Sequence, residues 1–170
     1  MPFQSLLDEA LEAWAYTRSG FIGEIQNLSE ADLKMKPQSE CRTPTELAIH
    51  IVESGLMMSG ELSRPDGNFQ RQSFPQFIRE YARDIPQAKK KSEIVQLLKR
   101  THAEGEKKIR AAGELHMLQV ITRFDGERGS RLAWMNHGIS HEEYHRGQLA
   151  LYARLAGRVP ALTQLIYGKS

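Results

Sequence analysis

Apolar residues return every three or four positions along four long stretches of this chain, which confines it to amphipathic helices packed side by side. Phe3, Leu7, Ala10, Trp14, Thr17, Phe21 and Ile25 mark one face of a first helix, from Phe3 to about Asn27. Ser29 then opens a short helical turn with Asp32 three residues on. After a loop from Met35 to Arg42 that contains Pro37, Thr43-Pro44-Thr45-Glu46 combines an N-cap, a proline at the first helical position and a capping-box acid. These residues start a second helix running to about Leu62, with Leu47, Ile51, Met58 and Leu62 on its inner side. A turn-rich connection, Ser63 to Ser73, leads to a short amphipathic helix in which Phe74, Phe77, Ile78 and Tyr81 share a face. Asp84 to Lys91 is a linker broken at Pro86. Ser92 is expected to open the third long helix, with Ile94, Leu98, Thr101, Gly105, Ile109 and Ala112 inward and Gly113 as its stop. Between Leu115 and Gly129, Val120-Ile121-Thr122 reads as extended and Asp125-Gly126 as a turn. The last long helix runs from about Ser130 to Ala156, ended by Gly157 before Pro160. The expected fold is all-α: a single domain over residues 1–170, a four-helix bundle with one additional short helix between its second and third long helices. Such bundles build metal sites between facing helices.

Composition removes several classes of function. The 23 basic and 21 acidic residues nearly cancel, so the net charge of +2 gives no basic face for nucleic acid. The only basic cluster, Lys89-Lys90-Lys91 near Pro86, reads as a solvated linker. Cys41 is the sole cysteine, which excludes an intrachain disulfide and a CxxC metal knuckle. It is expected to be an inert loop or core residue, with a reactive thiol as the alternative. The N-terminal segment carries acids where a secretory signal would need a basic start. No stretch approaches the ~18 apolar residues of a membrane span. A cytoplasmic protein is the resulting expectation.

Chemistry concentrates in Asn136 to Leu149, NHGISHEEYHRGQL. His137, His141 and His145 are spaced four apart, so they lie on one helical face with Cβ atoms about 5–6 Å from turn to turn. Adjacent imidazoles so placed can share an ion at about 2.0–2.1 Å. All three cannot, because His137 and His145 are separated by about 12 Å along the axis. The spacing therefore leaves two pairs open, 137/141 and 141/145, each needing a further ligand from elsewhere. Of the other histidines, His102 and His116 are expected to be hydrogen-bonded core residues, while His50 lies in the second turn of the capped helix.

His141-Glu142-Glu143-Tyr144-His145 satisfies the HExxH pattern of zinc proteases, in which the Glu is the general base. The extended form would need Gly at position 148 and His at position 151, but this chain has Gln148 and Leu151. The variant with a downstream acidic ligand is also excluded, because no Asp or Glu follows Glu143. The protease reading is set aside.

HEEYHRGQL, taken with the preceding Phe124-Asp125-Gly126 turn and Trp134, resembles the closing helix of the DinB/YfiT-like family. Glu46-Leu47-Ala48-Ile49-His50-Ile51 resembles that family's second-helix signature, and the segment from Leu28-Ser29 to Pro37 also fits. The likeness covers most of the chain and is weakest from Ser63 to Lys91. It implies a four-helix bundle, often a homodimer, in which three histidines bind a divalent metal. Carried over, the ligands are His50, His141 and His145, and His137 stands one turn beyond them, beside the site or lining its pocket. Trp134, Gly138, Gln148 and Tyr152 share the same helical face and are candidate pocket wall. Arg146 is expected as a surface charge and Gly147 as a close helix contact.

A three-histidine site leaves coordination positions open, as catalytic zinc sites do. Imidazole suits zinc, nickel, copper and iron alike, and zinc or nickel is the expected ion. Glu46 and Glu53 flank His50 by about one turn. Because the capping box already occupies Glu46, Glu53 is the candidate catalytic base or orienting acid. The wider superfamily includes thiol-dependent S-transferases and maleylpyruvate isomerase. The resemblance therefore implies a metal-dependent transferase or hydrolase acting on a small molecule, with a low-molecular-weight thiol as a possible second substrate. The competing expectation is a non-catalytic metal-binding protein of the stress response. Neither involves nucleic acid or membrane.

Overall fold

Each long helix begins where a side chain satisfies its free N–H groups, and the computed structural model, which describes residues 5–168, follows those signals closely. Ser5 accepts the Asp8 N–H at 3.1 Å and opens α1 (Leu6–Asn27). Phe3, expected on this helix, lies outside the described residues. Asp32–Lys34 forms one 3-10 turn, in which Ser29 and Asp32 exchange bonds of 2.8 and 3.1 Å. Thr43 and Glu46 form the capping box of α2 (Pro44–Leu62) at 3.1 and 2.7 Å. Ser73 and Gln76 do the same for α3 (Phe74–Tyr81).

The third long helix, α4 (Lys91–Ala112), starts one residue earlier than Ser92 predicts. The Glu93 carboxylate accepts the N–H groups of Lys89 and Lys90, so the acid in the first turn moves the start. Lys91 is not a solvated linker residue either: its ammonium donates to the Leu28 carbonyl at 2.7 Å, at the end of α1. Gly113 adopts φ +83°, a conformation that stops α4 and that side chains disfavour. The short helix α5 (Glu114–Met117) follows. Strands β1 (Val120–Thr122) and β2 (Arg128–Ser130) then pair antiparallel around the Asp125-Gly126 turn. Ser130 caps α6 (Arg131–Leu155), and α7 (Ala161–Tyr167) closes the described chain.

Periodicity did not disclose α5 and α7. α5 has only four residues, and α7 is held by a distant acid, buried Glu24, which accepts the Ala161 and Leu162 N–H groups at 3.0 and 3.3 Å.

The four long helices form the bundle. α1 and α2 each pack against both α4 and α6, and contacts across the diagonals are sparse. Side-chain partners fix the directions. Trp14 and Arg18 reach Glu142 while Gly20 meets Arg146, so α1 and α6 run parallel. Asp8 meets Arg110 and Arg18 meets Leu98, so α1 and α4 are antiparallel. α2 is antiparallel to α6, with His50 near His141 and Met58 against Gly138. Consequently α2 and α4 point the same way, and the connection from Ser63 to Lys90 must return the length of the bundle. α3 lies in that crossover, tied to α2 by a hydrogen bond from the Tyr81 hydroxyl to buried Glu61 at 2.6 Å.

The apolar core is two clusters rather than one. One contains Phe21, Ile25, Leu47, Ile51, Leu98 and Leu149; the other contains Leu11, Trp14, Met58, Leu62, Ile109 and Met135. Between them lies a polar layer that includes Thr17 and Arg18 of α1, Thr101 of α4, and Glu142 and His145 of α6, all buried. The histidine cluster belongs to this layer.

Candidate metal centre

His50 projects from the second turn of α2, and His141 and His145 project from successive turns of α6, the neighbouring antiparallel helix. Their Nε2 atoms converge. His141 Nε2 is 3.1 Å from His50 Nε2 and 3.1 Å from His145 Nε2. The three ligand atoms all lie within 4.8 Å of one another, and this is the single His/Cys/Asp/Glu group among the described residues with such geometry. Tetrahedral bonds of about 2.0–2.1 Å place ligand nitrogens about 3.3 Å apart, so the observed spacing fits one divalent ion. His137 does not join the cluster. The structure thus brings together the 141/145 pair and the distant His50.

Protonation also suits a metal. Burial is the main cause that lowers all three imidazoles, with the Arg42 charge assisting, and His50 is pushed down to about 4. Neutral rings at pH 7 offer lone pairs to a cation. His145 Nδ1 is 2.8 Å from Gln148 Oε1, which as a carbonyl oxygen can only accept. The proton is therefore on Nδ1 and the Nε2 lone pair faces the cluster, the tautomer selection common behind metal-bound histidines. Sequence reading placed Gln148 in the pocket wall and missed this contact, although its position three residues after His145 is the signal that could have found it.

The acids occupy other places. Glu142, the would-be protease base, is engaged by α1 and does not join the histidine group. It pairs with Arg18 and accepts the Trp14 indole N–H at 3.1 Å. Glu46 is engaged by Thr43. Glu53 is half-buried, its carboxyl is raised by burial, and it lines a separate cavity with Gln72, Gln76 and Arg79. Neither Glu46 nor Glu53 joins the histidine group.

His137 is exposed, meets Trp134 in a tilted ring contact with centroids 5.4 Å apart, and lines a cavity beside His141. His116 is bonded to the Leu62 carbonyl at 2.9 Å, as expected of a core histidine. His102 differs from expectation: it packs on Trp14 at 4.5 Å, but its buried Nε2 has no hydrogen-bond partner. Two further expectations are corrected. Arg146 is buried, pairs with Glu143 at 2.9 Å and lies against Gly20, because α1 runs close beside it. A Cβ on Gly147 would meet nothing within 4 Å; the close contact is instead at Gly138, where a Cβ would strike the Met58 sulfur.

Two cavities flank the cluster. One, of about 440 Å³, is lined by His145, Cys41, Arg42, Gln148 and Tyr152 among others. Cys41 is half-buried there, and the Tyr152 hydroxyl donates to the Arg42 carbonyl. The other, of about 190 Å³, is lined by His141, Met57, Met58, Phe74, Trp134 and Gly138, with Ser54 and His137 at its edge. Sequence reading did not single out Arg42, Met57 or Phe74 as wall residues, since nothing in their local pattern marks them.

The model of the DinB family matches residues 1–169. No curated protein matches. A DinB-like protein of Bacillus subtilis has a TM-score of 0.68 at 16% identity, with 89% of this chain and 93% of that one covered. A DinB-like protein of Bacillus cereus gives 0.66 at 16%, covering 94% and 97%. YfiT from Bacillus subtilis, described as a probable metal-dependent hydrolase with an unusual four-helix bundle topology, gives 0.64 at 12%, covering 93% and 94%. At these identities the structures establish the shared fold. No helix among the described residues is long and apolar enough to cross a membrane.

Proposed function

The chain belongs to the DinB family, and on that premise we propose that it is a divalent-metal-dependent enzyme, with His50, His141 and His145 as ligands, that activates a thiol or water against a small-molecule substrate. The observation that carries this reading is the convergence of three neutral imidazoles, the His141 Nε2 lying 3.1 Å from the Nε2 of both His50 and His145. Three lone pairs so arranged have too few protons to satisfy one another, and a cation answers all of them. The description of YfiT as a probable metal-dependent hydrolase supports the same class of chemistry.

A divalent ion held here would lower the pKa of water from 15.7 toward about 7 and deprotonate a coordinating thiol. The chain's own part is to fix three donors, with one cavity lined by His145 and the other by His141. Gln148 fixes the tautomer and orientation of His145. Zinc or nickel is the proposed ion, a homodimer the proposed assembly and the cytoplasm the proposed compartment, with a low-molecular-weight thiol as second substrate. Elemental analysis of the purified protein tests the first step: about one equivalent of metal is expected in the parent and loss of it in His50→Ala and His141→Ala. Full retention in both variants contradicts the ligand assignment. Metal-loaded protein incubated with thiols and electrophiles then tests turnover; no metal-dependent conjugation or hydrolysis across the panel contradicts the enzymatic part.

A further inference from the structure

The cavities beside the histidines differ in chemistry, and their walls describe a ligand. The smaller one is apolar almost throughout: Met57, Met58, Phe74 and Trp134 surround it, with His141 at one end. Behind its wall, aromatic packing continues from Trp134 to Phe124 at 5.1 Å and from Phe124 to Phe74 at 5.2 Å. An apolar cavity of about 150 Å³ accepts a benzene ring, so 190 Å³ next to His141 has room for a phenyl group or a short branched alkyl chain. Glycine at 138 lets the Met58 side chain lie where it does on this wall. A Cβ there would lie 2.1 Å from the Met58 Sδ, and the flexible thioether would have to swing away.

The larger cavity opens beside His145 and carries the Arg42 guanidinium, the one charge felt by all three histidines and by Glu53. Among the described residues no carboxylate forms an ion pair with Arg42. Of the acids around it, Glu40 shares the cavity wall without an ion pair to Arg42, Glu46 is taken by the Thr43 amide, and Glu53 feels the Arg42 charge from the neighbouring cavity. A guanidinium on a cavity wall with no carboxylate in direct contact is suited to a carboxylate or phosphate, which it binds through charge-assisted, often bidentate, hydrogen bonds.

We propose that the site takes an amphiphilic substrate that straddles the three histidines, its apolar group in the Met57/Phe74/Trp134 cavity and an anionic group against Arg42. This deepens the metal-dependent reading above and rests on it. Arg42 and the Met58–Gly138 wall are specificity-determining elements, one for charge and the other for size.

Cobalt-loaded protein provides a test whose readout is a visible spectrum. Three hydroxamates anchor on metal through the same group and differ in their tails: acetohydroxamate, benzohydroxamate and succinate monohydroxamate. Acetohydroxamate is the reference. The benzo and succinate probes should each bind at least tenfold more tightly. Gly138→Ala, which drives Met58 into the apolar cavity, should remove the benzo advantage and leave the succinate one. Arg42→Gln should do the reverse, and Arg42→Lys should restore part of the succinate advantage. Affinities within twofold for all three probes, or advantages untouched by the two variants, overturn the amphiphilic assignment while leaving the metal reading intact. A protein that takes up no cobalt and gives no acetohydroxamate spectrum sinks the metal reading and this assignment with it.

Discussion

Glu142 is where the sequence pattern and the structure assign opposite roles to one side chain, so its substitution decides between them. As an HExxH base it would be dispensable for stability and indispensable for turnover. In the structure it is 3% exposed, paired with Arg18, itself 2% exposed, and bonded to the Trp14 indole. Arg18 also donates through Nη1 to the Leu98 carbonyl at 2.9 Å, and among the described residues Glu142 is its one ion-pair partner. Removing one partner of a buried pair costs about 3–5 kcal/mol, because the surviving charge is stranded. In a chain of this size about 1 kcal/mol moves Tm by roughly 2–4 °C, so Glu142→Gln should melt roughly 6–20 °C lower. Calorimetry and urea unfolding on metal-free protein measure the loss, and elemental analysis well below the midpoint should still find parental metal content. The apolar replacement of both residues, Arg18→Met with Glu142→Leu, should recover most of the stability, since no charge remains stranded. A Glu142→Gln protein within about 0.5 kcal/mol of the parent, or single losses that simply add in the double variant, would falsify the core-anchor role.

Three further outcomes follow from contacts described above. Gln148→Leu should weaken metal binding about 10–100-fold in a chelator competition, the usual effect of losing the acceptor behind a ligand imidazole, and unchanged affinity would refute its orienting role. Stability of the metal-free protein should be full above the ordinary histidine value of 6.5 and decline toward about 4, since folding depresses the His50 pKa and the unfolded chain binds the extra proton across that window. His141 and His145 shift in the same direction and add to it; urea midpoints that stay flat as pH falls through this range contradict the prediction. Glu24→Ala should release the start of α7 at a loss of about 1 kcal/mol and speed amide exchange over 161–167, whereas unchanged protection there would show that other contacts hold it.

The helices could be read from sequence because their determinants are local. Thr43-Pro44-Thr45-Glu46 fixes the start of α2 within four residues, and Gly113 and Gly157 mark ends by needing positive φ. The histidine cluster was half local. His141 and His145 are readable as a pair, but periodicity alone could not choose them over 137/141, and the third donor lies 91 residues away. What decided it was the likeness to DinB-like proteins, which the structure matches by setting α2 beside α6. The remaining wall could not be read. Arg42 has no spacing signal, and Phe74 reaches the site only because the crossover returns along α2. Glu142 shows the opposite error, a pattern that matches locally while the side chain faces elsewhere.

The polar layer between the two apolar clusters constrains how the bundle can assemble. Helices packed by apolar side chains alone tolerate sliding by a turn, about 5.4 Å, because one ridge of leucines and isoleucines resembles the next. Here such a slip of α6 would carry Glu142 away from Arg18 and Trp14 and leave buried charges facing hydrocarbon. A slip of α2 would separate His50 from His141. The residues that build the centre therefore act as the alignment key of the bundle, and alternative registers are excluded before any ion or substrate arrives.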